Sequence, residues 1–274
     1  MKKTFSPKKS AFSLIELSIV LIIIGLLIAG VTGGASLIKS SELRAAISEA
    51  RAWSSSVNAF HNQFNAFPGD YTVGIGGGAS AVYGNGNSQI NAFTLQNNPS
   101  GTASAVTGCA TSPTVPCAYE DSVAWVQLVS GSFVDTNIVS SAANGMNGAA
   151  WGITKDGIFG KTNPASKVKS SGWVFDYNTS TTQNVVVLTK TITSALPTTG
   201  GTTNTNTFVN GTLVSVATLS GTDALSIDTK IDDGVSNAGR VRGVLSGCVS
   251  SAAYVTSGGN SLVCALSYQV DVNS

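Results

Sequence analysis

Residues 8–30 read KKSAFSLIELSIVLIIIGLLIAG: a basic pair, a small residue at Ala11, a single carboxylate at Glu16, then an apolar run. No charge appears from Leu17 to Ile38, a stretch of 22 residues. As a helix this stretch reaches about 33 Å, enough to cross a bilayer core. Lys2, Lys3, Lys8 and Lys9 precede it. A basic flank on that side predicts a cytoplasmic N-terminus, with the remaining chain outside.

A secretory signal peptide has the same opening, with a cut after the small residues Gly33 and Ala35. Two features oppose that reading. Glu16 heads the apolar run, where a carboxylate is costly. The helical pattern also continues: Leu43, Ile47, Ala50, Val57, Phe60 and Phe64 recur as one stripe, with Glu42, Arg44, Glu49 and Arg51 expected on the other side. The stripe reaches Phe67-Pro68, where the residue before proline is pushed out of helical geometry. One helix is therefore expected over 12–66, membrane-spanning over about 12–38 and amphipathic over about 39–66.

Glu16 in lipid costs at least about 2.5 kcal/mol unless it is paired. A cut between Ala11 and Phe12 would create an ammonium at Phe12 that could meet Glu16 of a neighbouring molecule. Residues 8–30 resemble the prepilin signature of type IV pilins and type II secretion pseudopilins. The resemblance implies cleavage by a prepilin peptidase before Phe12, N-methylation of Phe12, and Glu16 as the assembly carboxylate. It further implies an inner-membrane protein with its head in the periplasm, whose partners are other pilin or pseudopilin subunits. Two departures stand out: Ala11 replaces the family's usual Gly, and Gly33-Gly34 stands in place of a helix Pro. The glycine pair reads equally as a weak point, at about 1 kcal/mol per Gly, or as a place for close helix packing.

The domain plan is a leader over 1–11, the helix over 12–66 and an exported head over 67–274. The fold class expected is α+β, the long helix packed on an antiparallel sheet with loop insertions. Phe67-Pro68-Gly69-Asp70 has the form of a type II turn. The Gly-rich stretch 74–87 lacks a phosphate-binding pattern and reads as exposed loop. Residues 120–131, EDSVAWVQLVSG, put Ser122, Trp125, Val126 and Val129 on one helical face. With GNGNSQI before it, this segment resembles the Trp helix under the sheet of pseudopilin-like proteins. Strands are expected at 172–177, 184–193, 208–219, 240–245 and 261–272, separated by Gly, Asn and Ser clusters, with a low-complexity polar loop over 198–207. Residues 223–234, DALSIDTKIDDG, fit a strand in part and a helix ended by Gly234; similarity to a C-terminal segment of some prepilin-type proteins favours the helix. Asp228, Asp232 and Asp233 are hard oxygen ligands, and some pseudopilins hold calcium nearby. The EF-hand spacing is absent, and a solvated turn accounts for the same residues.

Cys109 and Cys117 form one short-range pair, Cys248 and Cys264 another, all in the exported part where disulfides persist. Three connectivities are open, and the sequential one closes the smallest loops. The resemblance implies that the second pair pins the C-terminal loop and the first staples an inserted one. Only 11% of the 274 residues are charged, so the surface is built from Ser, Thr, Asn and Gly. A net charge of +1 disfavours bulk nucleic-acid binding. His61 is the single histidine, and neither GxSxG nor HExxH occurs, so no enzyme, resident cofactor or small-molecule substrate is expected. The resulting expectation is a pilus or pseudopilus subunit, minor or specialised because its head is large. An adhesive or DNA-uptake pilin and a signal-anchored exported enzyme are the alternatives.

Overall fold

The computed structural model describes residues 13–73, 86–90, 120–135, 159–160, 163–178, 180–190 and 216–270. The chain divides into two units between Glu42 and Leu43. Helix α1, Leu14–Phe64, runs through both.

In the first unit α1 leaves its apolar side chains uncovered, from Leu14 at 86% exposed to Leu37 at 73%. Water would oppose such exposure at every side chain, whereas hydrocarbon would not. The helix is long and apolar enough to cross a membrane. It passes unbroken through Gly33-Gly34, where an added Cβ would meet nothing within the chain. Among the described residues, nothing inside the monomer therefore requires small residues there.

In the second unit the same helix buries the expected stripe. Leu43, Ile47, Ala50, Val57 and Phe60 enter the core, Phe64 packs against it, and Ala46 and Trp53 complete the i, i+3, i+4 pattern. Asn65, at φ +52, ends the helix, and its amide donates to the His61 carbonyl at 2.8 Å. The next turn is type II as expected: the Asp70 amide donates to the Phe67 carbonyl at 3.1 Å, and Gly69 holds the φ of +89 that this turn demands of its third residue.

The head's main sheet is antiparallel, ordered β1-β2-β6-β3, with β1 Ser171–Asn178, β2 Gln183–Lys190, β3 Val241–Gly243 and β6 Leu266–Gln269. A two-stranded ribbon, β4 Val249–Ser250 with β5 Ala253–Tyr254, lies between β3 and β6 in sequence. The register aligns Phe175, Val186, Tyr268 and Val241 across the four strands, so period-two alternation puts one apolar row into the core. An α+β architecture results.

Two expected strands are shorter than their apolar runs. The chain leaves β3 early because residues 245–248 turn, with the Cys248 amide on the Leu245 carbonyl at 2.8 Å. Strand β6 begins late because the Cys264 carbonyl is taken by the amides of Thr218 and Leu219, at 2.8 and 2.9 Å. Leu219 forms only an isolated bridge to Cys264; residues 191–193, 208–215 and 271–272 of the expected strands, with loop 198–207 and 74–85 of the Gly-rich stretch, lie outside the described residues.

Helix α2, Glu120–Ser130, forms where expected, but its burial is not one-sided. Val123 through Leu128 are all buried. Trp125 meets Trp53 of α1 edge-on at 5.1 Å and Phe175 of β1 at 4.2 Å, so this part of α2 lies between helix and sheet. Helix α3, Gly221–Ile231, is the expected helix, capped by Ser220, whose Oγ accepts the Asp223 amide at 3.2 Å. It stops at Ile231, three residues before Gly234.

Candidate functional site

Glu16 sits in the first turn of α1, and one of its oxygens accepts the Ser13 amide at 2.9 Å. Ser13-Leu14-Ile15-Glu16 has the S-x-x-E spacing in which a third-position Glu reaches back to the capping residue's amide. The carboxylate therefore has a local role, satisfying an orphan N–H at a helix start. That spacing was a legible signal for the capping role, although Glu16 was read only for assembly. Ala11 and Phe12 lie outside the described residues, as do Cys109 and Cys117.

Glu49 departs from its expected solvent face. Its Oε2 accepts the Ser166 hydroxyl at 2.7 Å and the Trp173 indole N–H at 2.9 Å, and its Oε1 accepts the Lys167 amide at 3.1 Å. One carboxylate thus ties α1 to the segment entering β1. Apolar periodicity assigns polar residues outward and carries no sign of a donor cluster more than a hundred residues away.

Asp121, at the start of α2, is fully buried. Its Oδ1 accepts the Phe175 amide at 2.6 Å and the Trp125 indole N–H at 3.0 Å, and its Oδ2 accepts Asn163 Nδ2 at 2.9 Å. Burial outweighs these bonds and pushes its pKa up to about 7. Asp70 works similarly at the turn after α1, accepting the Asn87 and Ser88 amides at 2.6 and 2.7 Å, while burial holds its carboxyl above the ordinary range.

The last turn of α3 and the loop after it bring together Asp228, Asp232 and Asp233, with one carboxylate oxygen of each within 4.8 Å of the others. Asp228 Oδ2 accepts the Tyr254 hydroxyl at 2.8 Å, and its buried Oδ1 has no hydrogen-bond partner. Asp232 accepts the amides of Arg240 and Val241, and Asp233 accepts the Val235 amide at 2.8 Å. Gly239, at φ +66, lies so close to Asp232 that a Cβ would strike its carboxylate. Cys248 and Cys264 are bonded, with Cα atoms 4.5 Å apart. His61 is half-buried and stacks on Phe67 at 4.7 Å.

The family model for the prokaryotic N-terminal methylation motif matches residues 6–32. No curated protein and no solved structure matches the chain.

Proposed function

We propose that this chain, which carries the N-terminal signature of type IV pilins and pseudopilins, is a filament subunit. The signature supports a prepilin substrate, processed by a peptidase and assembled with other pilins, and a structural role rather than an enzymatic one. The apolar half of α1 fits membrane anchoring. Beyond this, our reading is cleavage between Ala11 and Phe12, N-methylation of Phe12, and insertion in the inner membrane with the head periplasmic. Assembly into a pilus or secretion pseudopilus as a minor or specialised subunit follows. The observation that carries the reading is the join between the methylation motif at 6–32 and a helix that is uncovered in its first half and core-packed in its second. N-terminal sequencing of the mature protein tests it. A methylated Phe12 is expected, and a start at Ser36 would replace the pilin reading with a cleaved signal peptide.

The acidic loop supports a second reading, a calcium clasp formed by Asp228, Asp232 and Asp233. Two oxygens bound to one calcium at about 2.3–2.6 Å are at most about 5 Å apart. The separations of up to 4.8 Å satisfy that limit, and Asp228 Oδ1 is a buried acceptor that makes no hydrogen bond of normal geometry, although the Gly234 amide is close enough to favour the charged carboxylate. Millimolar calcium should raise the melting temperature of the full chain, and Asp228→Asn should abolish the rise. A melting temperature indifferent to calcium would reduce the cluster to a hydrogen-bonded turn.

A further inference from the structure

Residues 176–180 read Asp-Tyr-Asn-Thr-Ser. Asn-x-Ser/Thr is the acceptor pattern for N-linked glycosylation, a modification of exported surface loops. It occurs twice in the chain without proline at its middle position, at Asn178 and at Asn210. Only Asn178 has an acidic residue two positions before it, Asp176; Phe208 holds that place before Asn210. A carboxylate there gives a bacterial oligosaccharyltransferase a charged anchor beside the acceptor. We propose that Asn178 is a site of N-linked glycosylation, with an oligosaccharide carried on a polyprenyl diphosphate as the donor. The site rests on the reading of the head as exported.

The fold puts this pattern where a glycan can stand. Asn178 is the last residue of β1 and pairs with Gln183, the first of β2, so Ser180 of the acceptor pattern lies in the loop that joins them. Ser180 and Thr182 are exposed, and Asn178 is half-buried. Asn178 Oδ1 accepts the Ser180 amide at 3.0 Å and the Thr181 amide at 3.3 Å. Among the described residues its Nδ2 donates to nothing. The side chain is thus oriented through its oxygen, and a sugar on Nδ2 breaks no described hydrogen bond. Asp176, in contrast, is only 3% exposed, and its Oδ1 accepts the Tyr177 amide at 2.8 Å. Its carboxylate is out of an enzyme's reach once the sheet has formed, so transfer precedes closure of the β1–β2 hairpin, during export. A three-residue pattern arises readily by chance in a chain rich in Asn, Ser and Thr. The acidic position and the hairpin loop together single out Asn178.

In the transfer, Asn178 Nδ2 forms a bond to the anomeric carbon of the first sugar. The bond from that carbon to the diphosphate oxygen breaks, and the polyprenyl diphosphate leaves with the electron pair. Nδ2 gives up one proton to a base of the transferase, and nothing is oxidised or reduced. The product adds hydrophilic bulk to a chain in which only 11% of residues are charged.

Two arms test the site. In one, the full chain is co-expressed with a bacterial oligosaccharyltransferase and its lipid-linked donor in an exporting host. In the other, the purified full chain in detergent meets the same enzyme and donor while it refolds from urea. Intact mass and glycopeptide mapping should show one glycan, on the peptide containing residues 176–180. Asn178→Gln and Ser180→Ala should reduce it to background, Ser180→Thr should restore it, and Asn210→Gln should change nothing. Absence of a glycan in both arms, or a glycan that persists in Asn178→Gln, overturns the proposal. A chain that stays unexported with its N-terminus uncut counts against the export reading alone, and the purified arm then decides the site.

Discussion

Replacing Glu49 by Ala removes the acceptor shared by the Ser166 hydroxyl, the Trp173 indole and the Lys167 amide. The three losses differ. Trp173 is fully buried, so its N–H is left without a partner, at about 1–3 kcal/mol. Lys167 is exposed and Ser166 half-buried, so water replaces much of what their donors lose. The net cost is then about 2–3 kcal/mol, most of it from the indole. For a folded unit of about 150–250 residues this lowers the melting temperature by about 4–12 °C. Glu49→Gln keeps one carbonyl oxygen, which can serve both Ser166 and Trp173 from the Oε2 position, and should cost about 1 kcal/mol. Thermal unfolding of the full chain, followed by tryptophan fluorescence, reads both variants. A double-mutant cycle with Trp173→Phe should recover about 1–2 kcal/mol of coupling. An Ala variant melting within about 1 °C of wild type would show that the carboxylate is not the tie between α1 and β1.

Glu16→Ala should leave cleavage and membrane insertion intact but impair filament incorporation, because a neighbour's Phe12 ammonium would be left in lipid without a counter-charge; normal incorporation, scored in sheared filaments, would refute the pairing. Replacing Cys248 and Cys264 together by Ala should cost about 3 kcal/mol for a closed loop of this length, their sequence separation being 16; non-reduced peptide mapping that joins either cysteine elsewhere would contradict the pairing. Asp121 makes the head's stability pH-dependent: with its pKa raised from 3.8 to about 7, its contribution is fully present below about pH 4 and is lost as pH rises through 7. The shifts at Asp70 and Asp228 run the same way, so the melting temperature should fall between pH 4 and 8, less steeply in Asp121→Asn. A rise across that window would mean that the hydrogen bonds to Asp121 outweigh its burial.

Two local features were read correctly. The uninterrupted apolar run and the i, i+3, i+4 stripe predict α1 from end to end, because a helix repeats every 3.6 residues whatever it packs against. Pro68-Gly69 dictates its own turn, since proline presets φ and glycine tolerates the positive value. Helix α3 carries its start chemistry in Ser220, but its local pattern fitted strand and helix alike, and it ends at Ile231 rather than at Gly234. The S-x-x-E spacing at Ser13 was equally legible as a cap, but Glu16 was read only for assembly.

Other features depended on contacts between distant segments. Periodicity assigned Glu49 to solvent, yet the chain entering β1 brings three donors to it. The pattern of α2 suggested one buried face, but α1 and the sheet contact it together, and Trp125 touches both. Strand ends were misjudged because Val, Ile and Tyr favour extension without specifying a partner. Whether a β-prone residue joins the ladder depends on which carbonyl is left free, and Cys264 gives its own to residues 218 and 219. The amino-acid sequence by itself determined what backbone geometry enforces within a few residues: the helices, the turn and the N-terminal signature. Only the tertiary structure decided which polar side chains are buried, because a carboxylate leaves water only where donors from elsewhere in the chain converge on it.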